Sequence, residues 1–236
     1  LNKGRRIAVL ISMLIFLGAL IFVAYELFQI REIRVAGCAA LNEEQVETLS
    51  GLEYGQCIFF VDTGAVKKAL AENPFVKPVS VRIEYPYSVV IEIEERTPAA
   101  YIDKNGIRLT IDKEAVLLSV DASPAGEVAP MVTGISADRF EVGQPLGEDA
   151  YKRQVFSDLL SALQGSGIDA VRFDLTYTSA VKLYTQAGFT IELGDASGLE
   201  AKLALAQGAM DEMTKQGKTG GIIDVATAVS AYYREN

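Results

Sequence analysis

The chain reads as an α+β protein with a single N-terminal transmembrane helix, a small β-α-α-β-β domain, and then an antiparallel β-rich domain with helices. Three observations predict this. Ile7 to Tyr25 is an uninterrupted apolar run without charge. Val79 to Ile93 alternates apolar and polar residues on both sides of Tyr85-Pro86, the period of two that marks strands with one buried face. Beyond Ala99, short alternating runs are broken by two helical stretches, the pattern of a sheet with helices packed on it.

The 19 residues of the apolar run rise about 29 Å as a helix, close to the ~30 Å thickness of a bilayer's hydrocarbon. Its twelve Ile, Leu, Val and Phe residues favour insertion by roughly 4–7 kcal/mol. Lys3, Arg5 and Arg6 precede the run and every acid follows it. The positive-inside rule then expects residues 1–6 to be a cytoplasmic tail, 7–27 to span the membrane, and the remainder to lie outside the cytoplasm. A cleaved signal peptide has a shorter apolar core and small residues at the cut. Phe22-Val23-Ala24 is a poor cleavage site, so the helix is expected to stay as an anchor.

From Ile30 to Gly37, Ile33 and Val35 alternate with charges and read as a strand. Asn42 with Gln45 three residues on forms a capping box for a helix ending at Gly51. Asp62 caps a second helix, with Val66, Ala69 and Leu70 as its apolar stripe, and Asn73-Pro74 stops it. The Val79–Ile93 hairpin follows, with Arg82 expected near Glu92 on its wet side, opposite or diagonal. Pro98 cannot donate to a central ladder, so residues 28–97 are expected to form one domain and 98–236 another.

In the second region, Ala100–Asp103, Ile107–Asp112 and Val116–Ser119 read as strands, with Lys104-Asn105-Gly106 and Asp112-Lys113-Glu114 as turns. Ser123 to Pro130 reads as a loop. Asp149 to Leu163 is an amphipathic helix, with Tyr151, Val155, Leu159 and Leu163 spaced by four and Phe156 and Leu160 beside them. Gly165-Ser166-Gly167 ends it. Strands are expected at Val171–Leu175, Ala180–Thr185 and Phe189–Leu193. A helix capped by Ser197 and Glu200 then runs to about Gln216, burying Leu199, Leu203, Ala206 and Met210. A single last strand, Ile222 to Tyr232, closes the chain.

Net charge is −9, and setting aside Lys3, Arg5 and Arg6 leaves 19 bases against 31 acids, or −12. Such a region is a poor match for nucleic acid or anionic surfaces. The chain holds no histidine, which removes Ser-His-Asp triads and most catalytic zinc sites. Gly217-Lys218-Thr219 resembles the end of a phosphate loop, but Glu212 stands where its first glycine belongs and a helix precedes it. Glu92, Glu94 and Glu95 read as a solvated face rather than a metal site. Gly165-Ser166-Gly167 lacks the spacing of a nucleophile elbow. No catalytic, cofactor or metal residues are predicted, and the chain reads as a non-enzyme.

The words Ile33-Arg34-Val35-Ala36-Gly37, Ser50-Gly51-Leu52, Ile58-Phe59 with Asp62, Asn73-Pro74-Phe75-Val76, Tyr85-Pro86 and Glu95-Arg96-Thr97-Pro98-Ala99 resemble, in this order, a POTRA domain. With one N-terminal anchor and a following β-rich region, the chain is similar to the FtsQ/DivIB family of bacterial cell-division proteins. The resemblance is tight from Ile30 to Ile102 and looser beyond. It implies a scaffold at the division septum. Such a scaffold binds small coiled-coil proteins of the FtsL and DivIC/FtsB type outside the cytoplasm and helps control septal peptidoglycan synthesis. Two other readings stand beside it: a POTRA-containing transport component, which needs a β-barrel, and an anchored cell-wall hydrolase.

Gly221-Ile222-Ile223-Asp224-Val225 resembles the family's Gly-x-Ile-Asp-Leu word, with Ala226 where a basic residue is usual. This last strand is the expected partner-binding edge by strand addition. Ile223, Val225, Thr227 and Val229 are expected on one side, and Ile222, Asp224, Ala226 and Ala228 on the other. Tyr232 and Tyr233 are expected as rim anchors. Cys38 and Cys57 stand where the family tends to carry Asn. The pair reads either as a disulfide closing a ~20-residue loop, worth roughly 3 kcal/mol, or as two free thiols.

Overall fold

The computed structural model describes residues 3–39, 41–122 and 130–235. It divides into two compact units, Leu1–Glu95 and Arg96–Asn236.

The first unit opens with α1 (Lys3–Leu27). Within it Val9–Leu27 is long and apolar enough to cross a membrane, and none of that stretch is buried in the protein. Residues 1 and 2, and the side chains of Lys3, Arg5 and Arg6, lie outside the described residues. After α1 come β1 (Glu32–Ala36), α2 (Glu43–Ser50), a 3-10 turn at Ile58–Phe60, α3 (Thr63–Ala71), β2 (Val76–Glu84) and β3 (Ser88–Glu95). The sheet order is β1-β3-β2, with β1 parallel and β2 antiparallel to the central β3. Ile33, Val46, Val66, Leu70, Val81, Val89, Ile91 and Ile93 fill the space between this sheet and the two helices.

Local chemistry sets the ends of these elements. The Asn42 side chain accepts from Gln45 N (2.7 Å), and Gln45 Oε1 accepts from Asn42 N (3.0 Å). Two orphan amides are thereby satisfied at once. Asp62 does the same work for α3, accepting from Gly64 N and Ala65 N. Arg82 pairs across the hairpin with Val90 and reaches diagonally to Glu92 at 2.6 Å. β2 starts earlier than the alternation suggested and includes Pro78, beside a register shift between Pro78 and Ser80. An edge strand tolerates this missing donor.

Cys38 and Cys57 are both free. Cys57 bridges Gln29, ahead of β1, whereas Cys38 lies just past the other end of that strand. The five residues of β1 alone span about 16 Å, and a disulfide needs α-carbons within about 7 Å. The bridge reading is therefore corrected: the two loops sit at opposite ends of one strand.

The second unit holds β4 (Ala100–Lys104), β5 (Ile107–Ile111), β6 (Leu117–Asp121), β7 (Met131–Thr133), α4 (Ala150–Leu163), β8 (Ala170–Asp174), β9 (Val181–Thr185), β10 (Phe189–Gly194), α5 (Leu199–Lys215), β11 (Gly221–Asp224) and β12 (Tyr232–Arg234). Among the described residues these strands form one nine-stranded sheet in the order β12-β11-β10-β9-β8-β7-β4-β5-β6. The sheet is mixed, not antiparallel: β4–β7, β7–β8 and β10–β11 pair in parallel. Parallel pairing requires a long crossover, and α4 and α5 supply two of the three. The loop expected over Ser123 to Pro130 lies, except for Pro130, outside the described residues.

Asn105 (φ 56) and Gly106 (φ 82) both take the left-handed conformation that a two-residue hairpin turn requires. In α4, Val155, Phe156 and Leu159 are buried, with Phe156 edge-on to Phe173 at 6.1 Å. Tyr151, expected on that stripe, is exposed, because it lies in the first turn, ahead of the buried stretch. α5 buries Leu199, Leu203, Ala206 and Met210 as expected, together with Lys202. Its N-cap is Gly198, not Ser197. The Ser197 hydroxyl instead donates to Asp195 Oδ1 at 2.6 Å, so it is spent before the helix begins.

Candidate functional site

The terminal edge of the second sheet is built from Gly221 to Arg234. β11 lies parallel to β10, with Phe189 opposite Gly221 and Ile191 opposite Ile223. β12 turns back on it antiparallel, with Ile222 opposite Arg234, Ile223 opposite Tyr233 and Asp224 opposite Tyr232. The expected single strand is thus two short strands, a correction with a local cause. Asp224 Oδ1 accepts from Ala226 N (3.0 Å), Ala228 N donates to Val225 O (3.0 Å), and Ala228 takes φ 52. These turns reverse the chain.

The reversal redistributes the predicted residues. Ile223 and Val225 point into the core, fully buried. Thr227 and Val229 leave the ladder, and Val229 is 82% exposed; they face solvent, not the core. Ile222 and Asp224 lie half-buried on the opposite face. Tyr233 packs against the core, and its hydroxyl donates to Gly220 O at 3.0 Å. Tyr232 projects outward. The edge strand of the sheet is therefore β12, with β11 one place inside it.

Charge at this edge is richer than the residues of β11 suggested. Arg234 reaches over β11 to Glu192, which also accepts from Lys182 Nζ at 3.0 Å. The Glu192 hydrogen bond raises the Lys182 pKa. Lys218 pairs with Glu235; that bond raises the lysine and lowers the carboxyl. All of these groups are partly exposed, so each pair adds little stability, but they place alternating charge beside Tyr232. Sequence periodicity missed this arrangement because Lys182, Glu192 and Arg234 meet only once the strand register is known. Among the described residues, no group of three or more His, Cys, Asp or Glu side chains could hold a metal ion.

Residues 28–96 match the model of the POTRA domain, FtsQ-type. The cell division protein FtsQ of Anaeromyxobacter sp. (strain K) is 28% identical over 205 residues, covering 84% of this chain and 67% of that protein. The cell division protein DivIB of Clostridium acetobutylicum is 23% identical over 158 residues, covering 66% of this chain and 64% of that protein. The matched stretches thus span about two thirds of these relatives' length. The extracytoplasmic domain of the cell division protein DivIB from Geobacillus stearothermophilus is similar with a TM-score of 0.31 and 13% identity, covering 53% of this chain and 99% of that structure.

A β-α-α-β-β module behind one apolar helix, joined to a β-rich domain with an open terminal edge, defines a POTRA-type docking protein. Residues 28–96 are a POTRA domain of the FtsQ type, and the chain as a whole is similar to the FtsQ and DivIB cell-division proteins of bacteria.

Proposed function

We propose that this chain is a single-pass scaffold of the bacterial division machinery, anchored by α1 with its N-terminus in the cytoplasm and both folded units outside. It gathers small coiled-coil proteins of the FtsL and DivIC/FtsB type at the septum and through them helps control septal peptidoglycan synthesis. The observation that carries the binding site is β12. It ends the strand order, so its outer side has no neighbouring strand among the described residues, and Tyr232 stands exposed on it. A partner segment adds there as a tenth strand, reading the backbone and packing on Tyr232. Gly221, Ile222, Ile223 and Asp224 position that edge rather than touch the partner, and Val225 closes the core beneath it. The transport reading needs a closed barrel, whereas this sheet has two ends, β12 and β6.

The test is co-purification of the full chain, in detergent, with its FtsL- and DivIC/FtsB-type partners. A chain ended after Ala231 lacks β12 and is expected to lose them, while the intact first unit keeps its amide protection. Capture at unchanged strength would move the site elsewhere. Protease added to protoplasts is expected to remove everything after about Gln29 in the single-pass topology, and a protected C-terminus would overturn the anchor.

A further inference from the structure

In the first unit, the large hydrophobic side chains exposed after α1 are all aromatic, and two of them, Phe59 and Tyr85, gather at the end of α1. Phe28 is the residue directly after α1, and its amide still donates to Ala24 O at 3.1 Å. Its ring centroid lies 4.8 Å from that of Phe59 and 6.5 Å from that of Tyr85, and Phe59 and Tyr85 are 5.6 Å apart. Two loops are stitched to this point by backbone bonds. Ile58 N donates to Phe28 O (2.8 Å), Ile30 N to Gln56 O (2.8 Å), and Arg31 N to Tyr87 O (2.9 Å). Although the Phe59 and Tyr85 rings touch, they remain open to solvent at 59% and 61% exposed, and Phe60, next in the chain to Phe59, is 79% exposed.

We propose that this aromatic end, Phe59 and Tyr85 gathered on Phe28 with Phe60 next in the chain, seats in the headgroup region of the bilayer that holds α1. The inference rests on the membrane-anchored reading of α1 and adds that the module is docked onto the membrane rather than tethered above it. The argument is one of continuity. Wherever the apolar surface of α1 ends, Phe28 begins, and the Phe59 ring is in contact with it. Aromatic rings with an apolar body favour the membrane–water boundary, where such faces sit about 5–10 Å deep. Leaving Phe59 and Phe60 in water would waste that area, and the core of the unit is already filled without them. The contact is apolar, so it needs no anionic lipid, in keeping with the acidic balance of the chain.

The chain has no tryptophan, so single reporters can be introduced into the full-length protein in phosphatidylcholine vesicles carrying brominated lipids. Phe60→Trp and Tyr85→Trp, on different loops, report the proposed face. Phe16→Trp reports insertion of α1. Phe75→Trp is the control within the unit, because it precedes β2 and the turn at Tyr85 follows that strand; nine residues separate them by about 30 Å. Quenching of Phe60→Trp and Tyr85→Trp is expected to exceed that of Phe75→Trp about twofold or more with shallow bromines, as for a ring about 5–10 Å into the boundary. Quenched Phe16→Trp with Phe60→Trp no better quenched than Phe75→Trp overturns the docking and leaves the anchor standing. Unquenched Phe16→Trp overturns the anchor and the docking with it. A blue-shifted but unquenched Phe60→Trp assigns the face to a protein neighbour or a second copy, and likewise overturns it.

Discussion

The Tyr233 ring lies over Gly221. A Cβ on Gly221 would come within 2.4 Å of Tyr233 Cε2 and 2.8 Å of its hydroxyl, and Gly221 takes φ +130. The glycine of the Gly-Ile-Ile-Asp-Val word is thus the floor on which the edge strand's tyrosine rests. Gly221→Ala is expected to destabilise the β11–β12 pair by about 1–3 kcal/mol, from backbone strain and ring displacement together. Tyr233→Ala relieves the clash but not the strain, so the double variant should be less impaired than the two losses added. Amide exchange of β11 and β12 measures this, and strict additivity would count against the ring contact.

Arg96 closes a second buried relationship. Its guanidinium meets Asp112, whose side chain is 3% exposed, and Glu114 at 2.9 Å. Asp112 also accepts from Glu114 N and Val116 N, each at 2.8 Å. Arg96→Met strands a buried carboxylate and is expected to cost about 3–5 kcal/mol. Adding Asp112→Asn should recover part of the loss, since the amide oxygen still serves both backbone donors. Faster exchange in β5 and β6, with β2 and β3 unchanged, is the expected signature.

Lys202 is buried to 1% exposure, and its ammonium donates to Asp195 O and Oδ1, both at 2.9 Å. Hydrogen bonds from Ser197, then from Lys202, hold the Asp195 carboxyl far below the usual range. A carboxyl lowered on folding stabilises above its unfolded value of about 3.9, and that contribution is lost as pH falls toward the folded value. The difference in Tm between the native chain and Asp195→Asn should therefore be constant down to about pH 4 and close below it. A gap that widened in acid would contradict the assignment.

Thiol titration of the unfolded, non-reduced chain should find two thiols, Cys38 and Cys57. In the folded chain Cys38 is expected to label slowly near pH 8, since burial, then Glu95 and Glu43, push its pKa above the ordinary 9.0. A single bridged pair with no titratable thiol would refute the strand-end geometry.

Much of the first unit was legible because its determinants are short-ranged. The Asn42–Gln45 box, the Asp62 cap, the Arg82–Glu92 diagonal and the apolar run of α1 each depend on residues close in sequence or on one regular period. The candidate edge was only half legible. Alternation places Ile223 and Val225 in the core, where both are fully buried. Alternation then carried Thr227 and Val229 along, because it has no means to see a chain reversal made by Asp224 and Ala228.

The sequence by itself determined where α2 and α3 start, which faces of the hairpin are dry, and that one apolar helix precedes the folded regions. Tertiary structure alone decided that β1 joins β3 in parallel, that Met131–Thr133 becomes a strand, and that β11 runs beside β10. It also decided that Lys202 is buried and that Phe28, Phe59 and Tyr85 form one aromatic end. The physical reason is range. Caps, turns and periods are settled by bonds within a few residues, whereas strand partners, buried charges and ring clusters are settled by whichever distant segment satisfies the same backbone groups and apolar area.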